Sequence, residues 1–164
     1  SSCAAGLIED FYTAGFKSSD ILNMTNKLML LSSSDEVFSA LDLCIVDMRN
    51  SVAHFSKIGA PHSYILKENG IRRVSGGALP LGILEDLEPA EHTAELCPGD
   101  LIIMFSDGVS EAELSDSVVY EEIKRISRID NVNLIADKII SSALKSYDGK
   151  AKDDMTVIVS RIVA

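Results

Sequence analysis

Apolar positions at helical spacing open the chain. Leu7, Ile8, Phe11 and Ala14 share one face, and Gly15 stands where a left-handed residue would close a helix. A second helix is expected from Ser18 or Ser19, either of which can cap it, with Asp20 in its first turn. Ile21, Leu22, Leu28, Met29 and Leu31 form its expected buried face, and Ser32-Ser33-Ser34 its end. From Val37 the period becomes that of strands. Residues 38–48 and 52–58 flank the polar turn Arg49-Asn50-Ser51, and residues 64–67 and 71–74 flank Glu68-Asn69-Gly70. Both pairs predict hairpins, the second with Asn-Gly in its turn. A loop with Gly76-Gly77 leads into Leu79-Pro80-Leu81-Gly82-Ile83, a strand is expected over 91–96, and Pro98-Gly99 turns the chain into residues 101–105. That last run is apolar without alternation, as in a strand covered on both faces.

Helices return after Asp107-Gly108. One is expected over 118–127. A longer stripe over 132–147, made by Val132, Ile135, Ala136, Ile139, Ile140, Ala143, Leu144 and Tyr147, predicts another, with Asp130 or Asn131 to cap it. Asp148-Gly149 breaks that helix, and residues 155–163 form a last strand. Strands in the middle and helices at both ends make an α+β domain without repeats, linkers or low-complexity tracts.

Composition narrows the picture. At 164 residues the chain fits one domain, residues 1–164, large enough to bury a core. With no Trp and 5% aromatics, that core must come from Ile, Leu, Val, Ala and Met. A formal net charge of −10 excludes an electrostatic grip on nucleic acid, whose phosphates require clustered Lys and Arg. A phosphorylated protein stays compatible with that charge if bound cations offset it locally. Arg72-Arg73 and Lys124-Arg125, the adjacent basic pairs, fit a solvated surface. Cys3, Cys44 and Cys97 are odd in number and lack metal-ligand spacing, which points to reduced, bystander thiols. No apolar run reaches the roughly 18 residues of a membrane helix, and no basic leader opens the chain. A cytoplasmic domain without membrane contact is the expectation.

Candidate chemistry lies in two acidic clusters. Ser106-Asp107-Gly108 follows the apolar run 101–105, and Asp153-Asp154 precedes the last strand. If those two strands are antiparallel neighbours, Asp107 and Asp153 meet at one edge of the sheet. Carboxylates gathered there repel unless a cation intervenes, and hard cations such as Mg²⁺ or Mn²⁺ favour such oxygen ligands. Gly108 would let backbone approach the metal shell. Such a cation can acidify its water and, when paired with a second, clamp a phosphoryl group, which makes hydrolysis possible without a nucleophilic Ser or Cys. Taken singly, Asp-Gly after a strand also suits a turn, and Asp153-Asp154 a helix-to-strand loop. His54, His62 and His92 are scattered; His62, in the loop Gly59-Ala60-Pro61-His62, is the one to consider near a site.

The motifs taken together say more. Leu41-Asp42-Leu43-Cys44-Ile45, Lys57-Ile58-Gly59-Ala60-Pro61, Leu79-Pro80-Leu81-Gly82-Ile83, the run from Gly99 through Ser106-Asp107-Gly108-Val109, and Asp153-Asp154-Met155-Thr156-Val157 occur in the order of the bacterial branch of the protein phosphatase 2C-like (PPM) family. Over nearly its whole length the chain resembles the phosphatase domain of the stage II sporulation protein E type. That resemblance implies an α-β-β-α sandwich of two antiparallel sheets flanked by helices. It implies a Mn²⁺- or Mg²⁺-dependent protein serine/threonine phosphatase holding two ions in its complete form. Asp107 and Asp153 fall on metal-ligand aspartates that are also the catalytic residues, Gly108 on the glycine after the first, and Asp154 on a place held by Asn in many relatives, as a weaker metal ligand or as a side chain behind the ligands. The implied substrate is a phosphorylated anti-sigma factor antagonist, whose dephosphorylation activates a sporulation sigma factor.

One departure stands out. Relatives carry another metal-binding Asp in a Gly-Asp-Gly-Met-Gly-like segment before the first helix, and no such segment occurs here. The expectation is an N-terminally truncated piece, missing the leading strands and inactive alone, whose parent has a membrane-anchoring region upstream. Exposed sheet edges would then favour a homodimer. The competing reading is a non-catalytic, phosphatase-like interaction module in a partner-switching pathway. A calcium-binding structural domain fits less well, because the acidic residues lack the spacing of one calcium loop.

Overall fold

The computed structural model describes residues 2–32, 38–77, 79–110, 116–126, 129–151 and 153–163. Helix α1, Ser2–Thr13, ends as its sequence predicts. Gly15 takes φ 84°, the Gly15 amide donates to the Tyr12 carbonyl at 3.0 Å, and the Phe16 amide to that of Phe11 at 3.1 Å. The Phe11 and Phe16 rings meet edge to face with centroids 5.7 Å apart, adding the apolar contact typical of this stop.

Helix α2, Ser18–Ser32, has Lys17 and not the expected Ser18 or Ser19 at its cap position, since the Ile21 amide donates to the Lys17 carbonyl and the two serines already lie in the first turn. Its buried stripe differs from the predicted one. Ile21, Leu22, Thr25, Asn26 and Met29 are buried, whereas Leu28 is exposed and Leu31 is 83% exposed. The helical period explains the change: positions 21, 22, 25, 26 and 29 share one face, and 28 and 31 turn away from it. Polar residues can occupy that face because Asn26 is fully bonded there. Its Nδ2 donates to the Leu84 carbonyl at 2.8 Å, and its Oδ1 accepts from the Gly82 amide at 2.8 Å. The serines beyond 32, named as the end of this helix, lie outside the described residues.

The strands are β1 (Leu41–Asp47), β2 (Val52–Ile58), β3 (Ser63–Lys67), β4 (Gly70–Val74), β5 (Ala90–Glu95), β6 (Leu101–Phe105) and β7 (Val157–Arg161). They form a three-stranded sheet in the order β1-β2-β5 and a four-stranded sheet in the order β4-β3-β6-β7. β1 starts later than expected because Ser39 makes an isolated antiparallel bridge to Leu81 instead. The β3–β4 turn is tighter than predicted: Lys67 already faces Gly70, leaving Glu68-Asn69 as the turn. Helices α3 (Asp107–Ser110), α4 (Asp116–Ile126) and α5 (Val132–Ser146) follow β6, α5 being capped by Asn131. The expected α+β fold, two antiparallel sheets with flanking helices, is what the chain adopts.

Residues gather into two compact units. In the first (Ser1–Leu43, Ser56–Ala60 and Gly76–Glu91), Ala4, Leu22 and Met29 of the helices pack with Ile58, Leu81, Leu41, Leu43 and Leu87. In the second (Cys44–Phe55, Pro61–Ser75 and His92–Ala164), β6 organises two cores. Ile102 and Met104 face Ala53, Phe55 and Ala94 of the opposing sheet. Leu101, Ile103 and Phe105 point the other way, onto Ile123, Ile126, Ile135, Ile139 and Ala143 of the helices. All five residues of β6 are therefore buried, which is why its sequence does not alternate. Each such side chain contributes about 1.5–3 kcal/mol by leaving water. That double covering fixes where β6 ends and hence where Asp107 emerges.

Candidate metal centre

β6 and β7 are antiparallel neighbours, with Phe105 facing Val157 as their last registered pair. Ser106 extends the lock by one residue. Its amide donates to the Thr156 carbonyl at 3.0 Å, its hydroxyl donates to the Asp154 carbonyl at 3.0 Å, and its Oγ accepts from the Thr156 amide at 2.9 Å. One serine thus uses every polar atom it has to tie the exit of β6 to the entry of β7. The chain then turns into α3, with the Val109 amide donating back to the Ser106 carbonyl at 3.1 Å.

This lock brings Asp107, Gly108, Asp153 and Asp154 to one sheet edge. A Cβ added at Gly108 would lie 3.3 Å from the Asp153 carbonyl oxygen and would collide with the Asp154 carbonyl. The position takes glycine because two backbones converge on it. Asp107 Oδ1 accepts its neighbour's Gly108 amide at 2.9 Å, and Asp153 Oδ1 the Asp154 amide at 2.7 Å. Among the described residues neither carboxylate has a Lys or Arg partner. Asp107, Asp153 and Asp154 are all exposed. Asp154 enters the arrangement through its carbonyl, bonded to Ser106.

The donors here are all oxygens: two carboxylates, with backbone carbonyls crowded against Gly108. That set suits a hard divalent cation such as Mg²⁺ or Mn²⁺ and no soft one. Among the described residues no group of three or more His, Cys, Asp or Glu is gathered where it could hold a metal ion.

Three other aspartates are answered by the protein itself. Lys57 is fully buried and its Nζ lies 2.5 Å from Asp42 Oδ2. Lys67 Nζ and the Cys97 amide both bond Asp100 Oδ2 at 2.9 Å. Asp47 accepts from Asn50 Nδ2 at 2.7 Å and from the amides of Asn50 and Arg49. Those bonds, the Asn50 side chain foremost, hold its carboxyl below the ordinary value. Sequence reasoning missed the Lys57–Asp42 pair, although a signal existed. Asp42 lies five positions before the end of β1 and Lys57 five after the start of β2, equidistant from the hairpin turn, as cross-strand partners are. His54 is exposed on β2. Cys44 and Cys97 are free thiols.

Comparison with known proteins follows the same line. The family described as Stage II sporulation protein E (SpoIIE) matches residues 1–163. The chain is 31% identical over 160 residues to stage II sporulation protein E of Bacillus subtilis (strain 168), covering 95% of this chain and 19% of that protein. It therefore spans about a fifth of that relative's length. A solved structure of the PP2C phosphatase domain of SpoIIE from Bacillus subtilis, with a fragment of its regulatory domain, superposes with a TM-score of 0.83 at 28% identity over 97% of this chain and 48% of that one. Another, of the phosphatase domain presoaked with Mn, gives 0.70 at 26% identity over 99% and 74%. No helix among the described residues is long and apolar enough to cross a membrane.

Proposed function

The chain belongs to the stage II sporulation protein E family, and we propose that it is the catalytic part of a metal-dependent protein serine phosphatase. Its proposed substrate is a phosphorylated anti-sigma factor antagonist, and the consequence of dephosphorylation is activation of a sporulation sigma factor. One observation carries this reading: two carboxylates with no Lys or Arg partner among the described residues, at a sheet edge fixed by Ser106. In the proposed arrangement Asp107 and Asp153 hold Mn²⁺ or Mg²⁺, with backbone at Gly108 beside it and Asp154 supporting from behind. A cation bound there supplies acidified water and positive charge for the phosphoryl oxygens. The protein's own share is placement. Ser106 keeps the two acidic segments from separating, and the absent side chain at Gly108 keeps them close. An overall charge of −10 disfavours a phosphoprotein at long range, so the attraction has to be local.

The test is phosphate release from the phosphorylated antagonist by the full-length protein, with Mn²⁺ and after chelation. Turnover that requires metal and disappears in Asp107→Asn is the expected result. Binding of the antagonist without turnover under any metal condition points instead to a non-catalytic interaction module and ends the enzymatic reading.

A further inference from the structure

Positive charge is unevenly spread along this acidic chain. Residues 48–84 hold five of its fifteen Lys and Arg and one of its twenty-five Asp and Glu. Two of those five, Lys57 and Lys67, are matched by Asp42 and Asp100. Arg72 and Arg73 are exposed on β4, and among the described residues Arg72 has no carboxylate partner. β4 is an outer strand: β3 lies on one side, and among the described residues no strand pairs with the other. Such an edge offers backbone N–H and C=O groups to another chain. In register, Arg73 faces Tyr64 and Arg72 faces Ile65. Tyr64 belongs to the core under the helices and Ile65 to the core between the sheets, so the two arginines sit on opposite faces of the sheet's rim. β4 ends at Val74, opposite Ser63, while Tyr64 faces Ile103 of β6. β4 thus runs toward the same sheet edge as β6, the edge that carries Asp107.

We propose that the free edge of β4 docks an acidic, extended segment of the phosphoprotein substrate, which adds to the sheet as a further strand and leads its phosphoserine to the acidic site. This rests on the phosphatase reading above. Side chains of an added strand alternate between faces, so two neighbouring acidic residues meet Arg72 and Arg73, one on each face. The added strand lies three strand spacings from β6, about 14 Å, which an extended chain crosses in about four or five residues. The acidic pair therefore belongs several positions away from the phosphoserine, not beside it. Charge selects the occupant. A second copy pairing through the same edge brings arginines against arginines, and nucleic acid is repelled by a chain of net charge −10. An acidic protein segment gains attraction where the chain is locally basic. Charged residues also guard strand edges against self-pairing, and a guard works with either sign. Replacing Arg by Glu keeps the guard and reverses the attraction.

The test uses the full-length protein with Mn²⁺ and three substrates. One is a phosphoserine peptide with an Asp-Glu pair about six positions from the phosphoserine, the second replaces that pair by Asn-Gln, and the third is p-nitrophenyl phosphate. The double variant Arg72→Glu with Arg73→Glu should raise KM for the acidic peptide about tenfold, with kcat changed by less than about twofold and the other two substrates unaffected. An unchanged KM on the acidic peptide, or an equal rise on the neutral one, overturns the proposal and leaves the phosphatase reading standing. An unmodified protein that turns over none of the three ends both readings together. Fluorescence anisotropy of the acidic peptide, labelled and without its phosphate, needs no turnover. Its Kd should weaken about tenfold in the double variant, and an unchanged Kd also overturns the docking. A measurement free of variants methylates the backbone nitrogens of the acidic stretch, which removes the donors that strand pairing uses. That peptide should no longer bind the unmodified protein, and binding as tight as before overturns strand addition. If light scattering shows instead that the double variant turns a dimer into a monomer, the edge belongs to a second copy and the proposal falls.

Discussion

The β1–β2 and β6–β7 strand ends both carry aspartates, and they treat them oppositely. Asp42 on β1 is matched by Lys57 on β2, a lysine with no exposure at all. Among the described residues, the partners of the Asp107 and Asp153 carboxylates, at the β6–β7 edge, are their own neighbours' amides. A buried ammonium is tolerable only with an opposing charge beside it, and Asp42 supplies that charge through its Oδ2. The second pair of ends brings two acidic segments to one sheet edge with no Lys or Arg partner among the described residues, and the backbone there is fixed by Ser106. This contrast, more than the presence of acidic residues, supports the proposed cation at the β6–β7 edge.

The largest effect that tests the contrast is at Asp107. Asp107→Asn should reduce phosphatase turnover of the full-length protein by at least ~10³-fold, about 4 kcal/mol of transition-state stabilisation. Thermal stability without added metal should not fall, because the change removes an unmatched charge. A melting temperature that drops along with activity would mean the carboxylate is structural, as Asp42 is.

Lys57 should behave in the reverse manner. Lys57→Met leaves Asp42 without its counter-charge and should destabilise the fold by about 3–5 kcal/mol. The double variant Lys57→Met with Asp42→Leu should recover most of that loss, since an apolar pair needs no desolvation of charge. Urea unfolding of the two single variants and the double one measures the coupling directly. A double variant no better than the singles would show that Lys57 acts through other contacts, such as its packing against Gly76.

How far these features could be read from sequence depends on the physics behind each. β6 was legible because an unalternating apolar run has few explanations, and the placing of the two acidic segments at one sheet edge followed once β6 and β7 were taken as antiparallel neighbours. α5 was legible from its stripe and from Asn131, whose side chain accepts from the amides of Asn133 and Leu134. The face of α2 was not, because hydrophobicity alone chose Leu28 and Leu31 over Thr25 and Asn26. Asn26 is buried only because loop carbonyls and an amide from residues 82–85 reach it, and no local pattern announces such distant partners. The Ser106 lock was equally hidden. A serine before an aspartate is ordinary until its bonds to Asp154 and Thr156 are seen.

A smaller effect is expected at Gly108. Gly108→Ala drives a methyl group into the Asp154 carbonyl, and the two strand ends must shift apart to admit it. The expected loss is about 1–3 kcal/mol of stability, together with weaker Mn²⁺ binding by calorimetry. If the variant binds Mn²⁺ as tightly as the parent, the close approach at Gly108 is a packing feature unrelated to the cation.

The smallest effect concerns Asp47, an aspartate that the protein satisfies with dipoles instead of a charge. The Asn50 side chain and the amides of Asn50 and Arg49 bond its ionised form, so its folded pKa is depressed. For a carboxyl depressed on folding, the unfolded state holds the proton more tightly, and stability rises with pH through this window. The contribution is fully present above the ordinary carboxylate range near 3.9 and is lost as pH falls through the folded value. Asp47→Ala should therefore destabilise the protein measurably at pH 7, and the gap between variant and parent should narrow as pH is lowered below 4. Asn50→Ala should reproduce part of that pH dependence, since its side chain makes the largest contribution to the shift. A gap that stays constant from pH 7 to pH 3 would show that Asp47 shapes the β1–β2 turn by its conformation and not by its charge.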